Sequence, residues 1–103
     1  MNSLPMTRQQ HLLICLAEEC AEVAQRASKA LRFGLQEIQP GQHLTNAERL
    51  ADEAIDLQAV LKMLTDGKHL DLGVDARRRT DLKIAKVCEF LRYSKSQGTL
   101  VDE

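Results

Sequence analysis

Nine residues, Leu16-Ala17-Glu18-Glu19-Cys20-Ala21-Glu22-Val23-Ala24, restrict the fold more than any other stretch of the chain. Three carboxylates interrupt a run that otherwise reads as an apolar helix. Each helical residue turns ~100° from the last, so Glu19 and Glu22 share one side, one turn apart. Glu18 and Glu22 are neighbours at i and i+4, where like charges repel. The flanking Leu12, Leu13, Leu16, Val23 and Ala24 place part of this surface in an apolar setting. Buried anions are costly unless something positive accompanies them. A second acidic pair, Glu53 and Asp56, stands one turn apart in another apolar helical run. Two such helices facing one another would gather four carboxylates, and a hard divalent cation such as Mg²⁺ is the simplest partner for that many oxygens. At this level a duller reading stays open: a solvated acidic face with local ion pairs, Glu22 and Arg26 at i,i+4 being one.

The chain's 103 residues fit one small domain. Hydrophobic content is 44% but aromatics are only 3%, so the core must be aliphatic, as suits Ala/Leu helix packing. The formal net charge of −1 argues against a general nucleic-acid binder, which carries a basic excess. No apolar run approaches the ~20 residues that span a bilayer. The first residues lack a signal-peptide pattern, and a cytoplasmic location is expected. Cys15, Cys20 and Cys88 form no C-x-x-C pair, which points to reduced thiols, with Cys15 and Cys20 as small packing residues.

The expected fold is all-α, with three main helices. Thr7 is an N-cap candidate for a helix over 8–33 that stops at Gly34. Residues 35–44 contain Pro40-Gly41 and read as a loop with a turn. Thr45-Asn46-Ala47-Glu48 is a capping-box pattern opening a second helix over 46–66, ended by Asp66-Gly67. Residues 67–75 form a second loop with room for a short helical turn, before a third helix over 76–96 stopped by Gly98. Its packing candidates are Leu82, Ile84, Ala85, Val87, Cys88, Leu91 and Tyr93. Residues 1–6 and 99–103 are expected to be a loose leader and a frayed tail of a single domain. The second helix is apolar around much of its circumference, which predicts burial against a second subunit. Self-association would complete a four-helix core, as a homodimer or a pair of dimers.

Glu18-Glu19-x-x-Glu22 followed by Glu53-x-x-Asp56 resembles the signature of the MazG-like all-α nucleoside triphosphate pyrophosphohydrolases, which include dimeric dUTPases and dCTP pyrophosphatases. The likeness covers roughly residues 8–65, and the short layout resembles phage-like members. It implies an all-helical oligomer, dependence on Mg²⁺ (with Mn²⁺ as a substitute), and hydrolysis of a nucleoside triphosphate to its monophosphate and pyrophosphate. It implies Glu19, Glu22, Glu53 and Asp56 as metal ligands and attack of water at the α-phosphorus. Glu18, turned ~100° from Glu19, is the candidate to orient or deprotonate that water.

A triphosphate also needs cations. Lys29 lies seven residues after Glu22, nearly on the same face and ~10 Å along the axis. Lys83 and Lys86, one turn apart on the third helix, could close over phosphates. Arg26 and Arg32 flank Lys29 and are read as ordinary surface charge. Arg77-Arg78-Arg79 lacks stacking aromatics and reads as a solvated helix start. His11 could approach a base, though a surface or capping role fits better; Phe33 and Tyr93 are the aromatics best placed for one, though packing fits each better. A di-iron bundle is disfavoured, since its sites use Glu-x-x-His and no glutamate here has a histidine three residues on. Two further classes fit the same fold: a helical interaction module without catalysis, and a regulator that binds nucleotide without hydrolysing it.

Overall fold

A computed structural model describes residues 4–101 as three helices, α1 (Arg8–Phe33), α2 (Asn46–Asp66) and α3 (Ala76–Ser96), with no strand among the described residues. Of the expected leader and tail, residues 1–3 and 102–103 lie outside the described residues, and 4–7 and 99–101 are non-helical. The helix bounds agree with the sequence reading, and capping chemistry explains why. Thr7 and Thr45 both sit in extended backbone, where a hydroxyl can turn back onto the helix. The Thr45 hydroxyl accepts from the Glu48 N–H at 3.1 Å, and Glu48 Oε1 accepts from the Thr45 N–H at 3.0 Å. Thr7 makes the same reciprocal pair with Gln10, an amide replacing the carboxylate.

The three stops differ in detail. Gly98 takes φ 78°, and the Gly98 and Thr99 N–H groups donate to the Lys95 and Ser94 carbonyls. That is the left-handed cap expected of glycine. Gly34 has φ 99° and ψ 143°, a glycine-only conformation outside the left-handed helical region. At the end of α2 the left-handed residue is Lys68 (φ 62°), while Gly67 keeps φ −80°. The Lys68 and His69 N–H groups donate to Thr65 and Leu64, so the same capping motif forms one residue later than the sequence suggests. Gly67 is needed for another reason: a Cβ there would stand 2.9 Å from the His69 ring. Residues 67–75 hold turns and no helical turn of their own.

Two compact units follow, Met1–Asp71 with α1 and α2, and Leu72–Glu103 with α3. In the first, α1 and α2 form an antiparallel hairpin: Leu12 and Cys15 share a cavity wall with Val60 and Met63, and Ala27 and Ala30 share another with Leu50. The buried or half-buried positions include one row on each helix, Leu12, Leu16, Glu19, Val23, Arg26, Ala30 on α1 and Asn46, Leu50, Glu53, Leu57, Val60, Leu64 on α2, with Cys15, Lys29, Ala47, Arg49, Ala54, Leu61 and Thr65 half-buried beside them. Steps of four and three alternate along both, the spacing of a coiled-coil seam. Asn46, only 2% exposed, ties the connection down. Its side-chain amide donates to the Gly34 carbonyl at 2.8 Å and to Glu37 Oε1 at 3.1 Å. The Asn46 and Ala47 N–H groups donate to Glu37 and Leu35. The Gln42 N–H to Gln39 carbonyl bond closes the expected Pro40-Gly41 turn.

Burial within one chain is narrower than the sequence suggests. The buried apolar side chains among the described residues are Leu12, Ala30 and Leu64. Ile55 on α2 is 61% exposed, and no residue of α3 is buried, so its packing candidates Leu82, Ile84, Ala85, Val87, Cys88, Leu91 and Tyr93 are not core residues of this chain. Cys15 is half-buried, whereas Cys20 and Cys88 are exposed, so Cys20 is not the packing residue it was expected to be. All three thiols are free.

Candidate metal centre

The α1–α2 seam carries two acidic residues that an apolar seam should reject. Glu19 and Glu53 occupy positions where neighbouring turns place Leu16, Val23, Leu50 and Leu57. Antiparallel pairing brings them to the same level, and Glu22 joins them from the next turn of α1. One carboxylate oxygen from each of Glu19, Glu22 and Glu53 lies within 4.8 Å of the other two. That spacing is close enough for three oxygens to share one small cation, whose ligands stand at 2.0–2.1 Å for Mg²⁺.

Oε2 of Glu19 and Oε2 of Glu53 are buried and have no hydrogen-bond partner. Native proteins satisfy the large majority of buried polar atoms, so each orphan needs a reason. The electrostatics point the same way. Glu19 is pushed above its ordinary value of 4.5, first by desolvation, then by Glu22, Asp56 and Glu18. Glu53 is pushed up first by a hydrogen bond with Glu22, then by desolvation, Glu22, Asp56 and Glu19. The carboxylates of the cluster thus crowd one another without a counter-charge, where a cation could stand.

Of the residues singled out in the sequence, three converge: Glu19, Glu22 and Glu53. Asp56 is exposed, outside that trio, and acts on both Glu19 and Glu53 through its charge. Glu18 is exposed and raises Glu19 in the same way. Lys29 is half-buried on the same unit. Lys83 and Lys86 belong to the α3 unit and are exposed there, Lys86 Nζ lying 5.9 Å from the Phe90 ring centroid. Two ion pairs, Lys62–Asp66 at 2.7 Å and Arg79–Asp75 at 3.2 Å, involve none of the cluster residues. The Glu22–Arg26 surface pair that the spacing allows is not formed.

Arg26 is the residue that sequence reasoning undervalued. It stands on the seam, half-buried, and its Nη1 is buried without a partner. The signal was present in the alternating steps of four and three, which put position 26 in register with Glu19 and Val23. One turn before Glu19, Cys15 Sγ lies 3.5 Å from His11 Nδ1. Both line a cavity of about 450 Å³ with Arg8, Leu12, Val60 and Met63. Phe33 is a poorer stacking platform than its exposure suggests, because the Arg32 guanidinium already sits 4.8 Å over its ring.

The donor set is oxygen-only, anionic and partly desolvated, which fits Mg²⁺ or Mn²⁺ and offers nothing to a metal that prefers sulfur or imidazole. Comparison with family models, curated proteins and solved structures returned no match for the chain.

Proposed function

We propose that the chain is a Mg²⁺-dependent nucleoside triphosphate pyrophosphohydrolase of the MazG-like kind, converting a (deoxy)nucleoside triphosphate and water to the monophosphate and pyrophosphate. The observation that carries this reading is the pair of buried, unpartnered oxygens on Glu19 and Glu53 in the helix seam, with the exposed Glu22 carboxylate beside them. Such a cluster destabilises the metal-free hairpin and gains its purpose when a cation is held there. The EExxE and ExxD spacing adds the family likeness to that local argument.

In this reading Glu19, Glu22 and Glu53 supply the inner oxygens, and Asp56, one turn beyond Glu53, completes the set from the exposed side. Bound Mg²⁺ supplies positive charge against the phosphates and makes a nearby water more acidic. Glu18 lies on the open side of α1 and orients or deprotonates the attacking water at the α-phosphorus. Lys29 offers a charged amine along the same helix. The cavity beside His11 and Cys15 lies one turn before Glu19 and has room for a base. The fold also allows a nucleotide-binding regulator, but the orphaned oxygens favour a metal site and so the enzyme.

The test is a panel of canonical and modified nucleoside triphosphates with Mg²⁺, read for monophosphate and pyrophosphate together in ¹⁸O-labelled water. Equal amounts of both products, with label in the monophosphate, are expected. Release of single phosphates, or label confined to pyrophosphate, would reject the reaction. Saturable nucleotide binding with no product would favour the regulator.

A further inference from the structure

We infer that Arg26 is a phosphate-binding residue, contacting the anionic oxygens of a phosphate chain whose metal is held by the Glu19–Glu22–Glu53 cluster. The inference rests on the metal-site reading above and extends it to a residue that spacing alone assigns to the surface.

Three buried side-chain atoms in the described structure lack any partner: Glu19 Oε2, Glu53 Oε2 and Arg26 Nη1. All three belong to seam positions of the α1–α2 hairpin. Two are anionic acceptors and one is a cationic donor, yet they do not satisfy each other. A guanidinium cannot escape by losing its proton, so a buried Nη1 must find an acceptor or stay unpaired. The nearest carboxylate along α1 is Glu22, at i−4, and no ion pair joins them although the spacing permits one. Arg26 is instead held in the seam, seven residues and ~10 Å of helix rise beyond Glu19.

A bare cation would satisfy the two oxygens and leave Arg26 unpaired, or repel it. A bare phosphate would satisfy Arg26 and be repelled by the carboxylates. A metal–phosphate complex carries both signs, cation at one end and oxygens at the other, and would complete all three atoms at once. Arginine's planar fork suits a phosphate better than a lysine's point charge does. Lys29, one turn further along and half-buried, continues the same line of positive charge.

The test uses inorganic pyrophosphate as the probe, so that no turnover is involved. Calorimetry on the full chain would measure Mg²⁺ alone and pyrophosphate in saturating Mg²⁺, for the wild type, Arg26→Gln and Arg26→Lys, each checked for helical content by circular dichroism. The expected result is a loss of pyrophosphate affinity of roughly 10- to 100-fold in Arg26→Gln, the range of a charge-assisted hydrogen bond. Arg26→Lys should recover part of it, and Mg²⁺ alone should bind as in the wild type or tighter. Unchanged pyrophosphate affinity with tighter Mg²⁺ would overturn the inference and make Arg26 the cluster's counter-ion, leaving the metal site intact. A wild type that binds neither Mg²⁺ nor Mg²⁺-pyrophosphate would overturn both. Should Arg26→Gln fail to fold, the lysine variant decides: weaker pyrophosphate binding than the wild type supports the contact, and an affinity equal to the wild type would overturn it.

Discussion

Single residues set the energetics of the hairpin. Glu19 and Glu53 both have raised pKa values, so the folded metal-free chain holds protons that the unfolded chain has released. Stability then falls as pH rises from the ordinary value of 4.5 through the raised values, and returns on acidification across that window. Glu48 has the opposite sign: its hydrogen bonds with Thr45 lower its pKa, so its contribution is lost as pH falls below the ordinary carboxylate range. The metal-free protein should therefore be most stable at mildly acidic pH. Thermal unfolding between neutrality and the carboxylate range should show a higher Tm at the acidic end. Glu53→Gln or saturating Mg²⁺ should flatten that dependence; a wild-type Tm that falls steadily on acidification would contradict the raised carboxylates of the cluster.

At the scale of the elements, much was legible because local chemistry is written in adjacent residues. Thr45-x-x-Glu48 named the start of α2, and Gly34, Asp66-Gly67 and Gly98 marked the stops. Gln10 closing the Thr7 cap was not anticipated, because an amide in place of the usual carboxylate makes a weaker pattern. The exchange of roles between Gly67 and Lys68 was not legible either. It depends on how the chain leaves α2, with the His69 ring crowding position 67. A lysine at φ 62° carries a conformational cost that glycine avoids. Lys68→Gly should accordingly stabilise the chain by about 1 kcal/mol, less the backbone entropy that glycine adds to the unfolded state. Urea unfolding measures it; destabilisation would show that the lysine side chain contributes something the cap geometry does not. The site was half legible for a related reason. Helix spacing placed Glu19 and Glu22 together, and two facing helices brought Glu53 to them. Which carboxylates lie inside the seam and which outside, as Asp56 and Glu18 do, follows from the rotation of α2 against α1, which one sequence does not state. Arg26 was missed because an i,i+4 partner at Glu22 offered it a simpler role.

On the scale of the whole molecule, a chain whose described apolar burial consists of Leu12, Ala30 and Leu64 leaves large aliphatic side chains facing outward, Ile55, Leu82 and Ile84 among them. Small domains bury a smaller fraction of their surface and are correspondingly marginal. We propose that a second copy covers part of that surface and completes a four-helix core around the seam. Sedimentation equilibrium at micromolar protein should give at least twice the 11.6 kDa chain mass; a stably folded, active monomer would reject this. No helix among the described residues is long and apolar enough to cross a membrane. The central claim remains the cation site, and it is tested most directly by electron paramagnetic resonance of Mn²⁺ titrated into the full chain, wild type against Glu53→Gln. Saturable binding that Mg²⁺ displaces is expected in the wild type, weakened by at least roughly 100-fold in the variant, since loss of even an outer partner of a metal ligand costs 10- to 100-fold. Equal Mn²⁺ binding in the two proteins would contradict the site and return the acidic cluster to an unoccupied patch of the helix surface.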